Sequence, residues 1–108
     1  MKIIDKISTT NVEELRENKP ESIIVHSTKK YPNFNSLYNL HVNKNHWNGI
    51  GYHFFIDQHG KIYSIRPLDK EGAHAWGFNL NSIGICFYNG SALQDRLSLG
   101  KDLIKHNK

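Results

Sequence analysis

One cysteine, Cys86, stands in the whole chain. That excludes an internal disulfide and any cysteine-rich zinc finger. No run of residues is long and apolar enough to span a membrane, so membrane insertion is not expected. The start, Met1-Lys2-Ile3-Ile4-Asp5-Lys6, leads into no apolar stretch and does not read as a signal peptide. The expectation is a chain that is cytoplasmic when made. Proline is scarce, at three residues, and repeats, low-complexity segments and linkers are lacking. The 108 residues therefore read as a single domain, 1–108.

What is present is enough to fold. Hydrophobic residues make up 38% of the chain, with two Trp, five Tyr and five Phe, which argues for a core and against disorder. The formal charge of +4 suits an anionic polymer, whether nucleic acid, membrane surface or cell wall. The basic residues are scattered, with only Lys29-Lys30 adjacent, and no nucleic-acid motif is present. No nucleic-acid partner is expected.

Hydrophobic periodicity gives the elements. Thr10-Asn11-Val12-Glu13 reads as a capping box opening a short helix that Pro20 closes. Ile23-Ile24-Val25 reads as a short buried strand with His26 at its carboxyl end, where sites gather in sheets flanked by helices. Phe34, Leu37, Tyr38 and His41 recur at helical spacing, predicting a helix over about 33–45. Tyr52 to Ile56 and Lys61 to Ile65 flank Asp57-Gln58-His59-Gly60 as a hairpin. Ser82 to Tyr88 reads as a further strand. Ser91-Ala92-Leu93-Gln94 reads as a second capping box, opening a helix with Leu93, Leu97 and Ile104 on one face and Gly100 inside it. The order predicts an α/β fold, a mixed central sheet with helices packed against it.

Seven histidines invite a metal hypothesis, yet no pair has the spacing that puts two on one helical face, and HExxH is absent. Each is read singly. His26 is either a metal ligand or a histidine satisfied by a neighbouring backbone group. His41 lies on an apolar helix face and reads as a packed core residue. His46 and His59 read as solvated, and His106 suits the end of the last helix. His53 alternates with Tyr52, so in a strand their side chains would face opposite ways. His74 stands in Gly72-Ala73-His74-Ala75-Trp76-Gly77-Phe78-Asn79, which is either a surface for sugar or peptide or a loop packed by Trp76. Cys86 reads as a buried, inert thiol. The Tyr52 hydroxyl could bind a developing oxyanion, or belong to an ordinary half-buried strand residue.

Taken in order, these segments resemble a known family. Ile24-Val25-His26-Ser27-Thr28, Gly49-Ile50-Gly51-Tyr52-His53-Phe54, the Asp57 to Tyr63 hairpin followed by Arg66-Pro67, and Gly72-Ala73-His74-Ala75 with Gly77, Asn79 and Ser82-Ile83-Gly84-Ile85-Cys86 are similar to zinc-dependent N-acetylmuramoyl-L-alanine amidases of the phage-lysozyme and peptidoglycan-recognition type. The resemblance runs from about Ile23 to Gly90. It implies hydrolysis of the amide between N-acetylmuramic acid and L-alanine in peptidoglycan by zinc-activated water. It makes peptidoglycan or a muropeptide the partner. It implies that His26 is a zinc ligand, that Tyr52 assists catalysis, and that His74, Trp76 and Asn79 line the substrate cleft. It also implies two further zinc ligands beyond the last helix, which have no match before Lys108. The expectation is a domain lacking the family's final segment, binding zinc weakly and cleaving poorly, or serving as a non-catalytic peptidoglycan-binding module.

Overall fold

The computed structural model describes residues 2–90. The second capping box, the helix with Leu93, Leu97, Gly100 and Ile104, and His106 lie outside the described residues.

Five strands form one mixed sheet. They are β1 (Ile3–Asp5), β2 (Ser22–Thr28), β3 (Phe54–Ile56), β4 (Ile62–Ser64) and β5 (Ser82–Tyr88), in the spatial order β1-β4-β3-β5-β2. β3 and β4 are the antiparallel hairpin, and Gly60 takes a positive φ in its turn. The Asp57 carboxylate holds that turn by accepting from the backbone N–H of His59 and Lys61. The other pairings, β1 with β4, β3 with β5 and β5 with β2, are parallel. β1 was not anticipated. It has three residues and no turn signal beside it, and it is held by pairing with β4.

The helix expected over 33–45 is there, in two winds. The α-helical turn α1 covers Phe34–Tyr38 and continues as a π-helical stretch over Asn39–Lys44. Asn33 caps it, accepting from the Ser36 N–H while the Ser36 hydroxyl accepts from the Asn33 N–H. The wider π wind ends close to the loop before β3, where the His41 Nδ1 accepts from the Gly51 N–H at 3.0 Å.

Two expectations are corrected. The segment at Thr10 makes no full helix. It makes a single 3-10 turn, Val12–Glu14, capped by Asn11 and ending at Leu15. The Thr10 hydroxyl bonds instead to the Asn48 side chain. Nor is the Ile23-Ile24-Val25 run buried as a unit. β2 is an edge strand, and Ile23 and Val25 are 63% and 62% exposed, while Ile24 and His26 on the opposite face are half-buried.

The alternation of the strands divides the sheet into two faces. On one, Phe55 and Cys86 pack with Leu37, Ile50 and Ile65 as the buried core, and Tyr31, Phe34, Tyr38, Tyr52 and Tyr63 pack around them. The ladder register puts His26 beside Cys86 on this face, so the core and the candidate site share one side of the sheet. The other face carries Ile3, Phe54, Ile56, Ile62 and Ile85 around a shallow apolar depression, with Ile23 and Val25 at its edge.

Candidate functional site

The site is a cluster of rings where β2, the loop before β3 and the loop before β5 meet. His26 emerges from β2 three residues after Ile23, the start of the strand's β-branched run. Its ring centroid lies 5.2 Å from that of Tyr52 and 5.1 Å from that of His74. His26 Nε2 and His74 Nδ1 are 2.9 Å apart, a hydrogen-bonded pair. Three residues separated by up to 48 positions in the chain thus meet in one cluster of rings.

Tyr52 and His53 do not face opposite ways. The regular strand begins only at Phe54, and both residues sit in the bend that precedes it. The ring centroid of Tyr52 is 6.3 Å from that of His74, and that of His53 is 5.8 Å from it. His53 is fully buried and fully used. Its Nδ1 accepts from the Gly84 N–H at 3.0 Å, so its Nε2 carries the proton and donates to the Lys70 carbonyl at 2.8 Å. His41 is a packed residue too, its ring centroid 4.5 Å from that of Trp47 and 5.6 Å from that of Tyr52. Both histidines are buried and each has its Nδ1 taken by a backbone N–H. His46 and His59 are exposed.

Glycines make room for His74. A Cβ on Gly84 would come within 2.6 Å of its ring, and one on Gly72 would also clash with it. The slot is closed by Ser82, whose hydroxyl donates to the Phe78 carbonyl at 2.6 Å and lies 3.3 Å from His74 Nε2. The Ser82 side chain was not singled out from the sequence. Its signal was its place at the head of the Ser-Ile-Gly-Ile-Cys strand.

The loop of Trp76 is ordered from within. The Asn79 carboxamide oxygen accepts from the backbone N–H groups of His74 and Ala75 at 2.9 and 3.0 Å. Asn79 is therefore committed to shaping the loop. Trp76 does not pack it, being 96% exposed. A depression beside it is lined by Arg16, Trp76, Gly77, Asn79 and Leu80. A second, of about 300 Å³, lies on the other flank, lined by Trp47, Asn48, Arg66, Glu71 and Gly72 among others. Arg66, buried beneath, braces that flank by donating to the carbonyls of Ile50 and Glu71.

Burial sets the protonation states. It lowers the pKa of His26 below the ordinary imidazole value and holds His74 down to about 4, with His26, His53 and Arg66 nearby adding to the effect. Burial and then Arg66 bring His41 to about 4 as well. Burial pushes the Tyr52 hydroxyl well above the usual tyrosine range, and the Cys86 thiol and Tyr31 add to the shift. Burial raises Cys86 to about 11, so the thiol is protonated and inert at neutral pH. The cluster thus brings together neutral imidazoles and one neutral phenol, whose hydroxyl lies beside the buried Cys86 thiol.

Among the described residues no group of three His, Cys, Asp or Glu side chains could hold a metal ion. His26 and His74 bring two nitrogens together, and a catalytic zinc takes three protein ligands. The described residues alone do not complete a zinc site.

The chain belongs to the N-acetylmuramoyl-L-alanine amidase family, Amidase_2, which it matches over residues 16–101. Among similar proteins, the endolysin of Enterobacteria phage T3 is 35% identical over 74 residues, covering 65% of this chain and 48% of that protein. Peptidoglycan-recognition protein 2 of Holotrichia diomphalia is 42% identical over 52 residues, covering 48% of this chain and 28% of that protein. The chain thus spans about half, or less, of the length of these relatives. Of solved structures, the endolysin N-acetylmuramoyl-L-alanine amidase LysCS from Clostridium intestinale URNW superposes with a TM-score of 0.70 at 33% identity, covering 83% of this chain and 59% of that one. The ectodomain complex of peptidoglycan recognition proteins LCa and LCx with bound tracheal cytotoxin shares the fold, at 23% identity and a TM-score of 0.68, covering 95% of this chain and 77% of that one.

Proposed function

We propose that this protein acts on peptidoglycan as an N-acetylmuramoyl-L-alanine amidase, with the cluster of His26, Tyr52 and His74 as its active site. The observation that carries the reading is the convergence of those three rings, within 6.3 Å of one another by centroid, in a chain of this family.

Amide hydrolysis needs a donor for the oxyanion that forms on the carbonyl, an acceptor for a water proton, and water held in reach. Tyr52 supplies the donor. Its raised pKa keeps the phenol protonated at neutral pH, and to meet the oxyanion the hydroxyl would have to exchange the neighbouring Cys86 thiol for the substrate. The neutral imidazole of His26 supplies a lone pair in the same cleft. His26 is also the residue that would hold zinc, which in such enzymes supplies a Lewis acid and a water of lowered pKa. The exposed Trp76 face offers a platform for the sugar or peptide, and the loop that carries it is pinned by Asn79. The net charge of +4 favours approach to an anionic wall. We place the protein's synthesis in the cytoplasm and its action on the wall after release or export.

A second reading, a binding module that does not cleave, is favoured by the incomplete donor set among the described residues. One experiment separates them. Purified peptidoglycan is incubated with the chain and Zn²⁺; bound protein is measured by sedimentation, and new L-alanine amino termini are counted. Binding with release of amino termini supports the amidase. Binding without release supports the module. Neither sinks both.

A further inference from the structure

β2 ends the sheet, and among the described residues no strand lies on its outer side. The Thr28 carbonyl accepts from the Asn89 N–H, so the peptide groups of Thr28 point inward, to the β5 side. By alternation the N–H and C=O groups of Ile23, Val25 and Ser27 point outward. Edge strands are usually guarded by lysine, proline or a bulge. Ser22 to Thr28 contains no proline, lysine, arginine or carboxylate, and it pairs with β5 in unbroken register. Ile23 and Val25 stand along this edge, 63% and 62% exposed. A long, unguarded, apolar edge is a template for another strand.

The sequence of this edge is complementary to itself. When two copies of β2 run antiparallel about a two-fold axis at Val25, Val25 faces the partner's Val25, and Ile23 faces the partner's Ser27. These are the residues with outward peptide groups, so this register gives each of them main-chain hydrogen bonds. Ser22 meets the partner's Thr28, and Ile24 meets the partner's His26. One step beyond the strand, Glu21 meets the partner's Lys29, and both are exposed and opposite in charge. Shifting the pairing by two residues either way parts Glu21 from the partner's Lys29. A shift by one turns every side chain to the other face.

We propose that the outer edge of β2 is a self-association surface, on which a second copy of this chain pairs β2 with β2 in the antiparallel register centred on Val25. The two sheets then become one. A two-fold axis normal to the sheet keeps like faces together, so both histidine-bearing faces lie on one side. On the amidase reading this gives the dimer two muropeptide sites facing one wall, an arrangement suited to a repeating polymer. The pairing itself does not rest on that reading. A single strand edge buries little area, so the dimer is weak and forms at high protein concentration.

The test is sedimentation equilibrium of the full chain from about 10 μM to about 1 mM, with amide hydrogen exchange at both ends of that range. The weight-average mass should rise from that of one chain towards that of two. The amides of Ile23, Val25 and Ser27 should exchange freely in the dilute chain and become protected in the concentrated one. Val25→Lys sets two cations against each other at the axis and should hold the chain monomeric, with the fold kept because Val25 is exposed. Glu21→Lys should weaken association about fivefold, and adding Lys29→Glu should restore it, a rescue that belongs to this register alone. The mass of one chain at every concentration overturns the proposal, and protection of the three amides in such a monomer would show that the rest of the chain covers the edge. A dimer that survives both Val25→Lys and Glu21→Lys associates through another surface and overturns it too. Should Val25→Lys fail to fold, the charge exchange decides. None of these readouts uses peptidoglycan, so the pairing and the amidase reading fail separately.

Discussion

The two faces of this sheet are made by the same strands and do opposite things. On β2, Ile24 and His26 point one way, and Ile23 and Val25 point the other. On β5, Ser82, Gly84 and Cys86 are buried on the first face, and Ile85 belongs to the second. The first face trades apolar side chains for histidine, serine and glycine at its end, and each such residue has a partner or a ring beside it. The second is apolar throughout, half-buried at its centre and open at Ile23 and Val25. The difference teaches that alternation alone reports which residues share a side. It does not report which side is covered. On the covered face polar groups persist because each is hydrogen-bonded.

The largest expected effect lies at the root of the covered face. Phe55 is fully buried and packs against the Tyr63 ring, so Phe55→Ala should cost about 3–5 kcal/mol. For a domain of this size that is much of the total stability. Chemical denaturation would show it, and a loss below about 1 kcal/mol would mean the core is not centred there.

Next comes the chemistry of the same face. In a form of the protein that has a complete zinc site and cleaves peptidoglycan, Tyr52→Phe should lower turnover by about 10²- to 10³-fold, with wall binding little changed, because the lost hydrogen bond acts mainly in the transition state. Wild-type turnover in that variant removes Tyr52 from the mechanism.

A further effect on the same face depends on pH. The folded-state pKa values of His41 and His74, about 4, lie below the 6.5 of an unperturbed imidazole. The unfolded chain therefore binds protons that the folded chain refuses. Stability should be full above about pH 6.5 and fall steadily as the pH drops toward 4. Urea midpoints across that window measure it, and a flat profile would contradict the burial of these rings. The smallest effect belongs to the open edge of the second face, where Val25 is exposed. Val25→Thr should change stability by no more than about 0.5 kcal/mol. A much larger loss would show that this face is covered.

Much of this was legible in the sequence. The hairpin could be read from Gly60 between two apolar runs, the helix from Asn33 and its periodic face, and β5 from Ser82 to Tyr88. Local signals failed where tertiary pairing decides. β1 exists because β4 offers it an edge. Ile23 and Val25 look like core residues but lie on an edge strand. Tyr52 and His53 break the expected alternation because the chain bends before Phe54. At the site, the ordered motifs pointed to His26, Tyr52 and His74. The part of Ser82 was hidden, because a serine hydroxyl shows its direction only when its acceptor, here the Phe78 carbonyl, is known.

Peptidoglycan binding at the histidine-bearing face, as proposed above, can be tested directly. The most direct measurement is a titration of a soluble muropeptide into the ¹⁵N-labelled chain, followed at the backbone amides. Shifts are expected around His26 and Tyr52 and along the loop from Gly72 to Asn79. It also expects Trp76→Ala to weaken the binding about tenfold, as for a single aromatic hot spot. The amides of Ile3, Ile23 and Ile62 should stay where they are. Shifts confined to that apolar face, or a spectrum unchanged throughout the titration, would contradict the account.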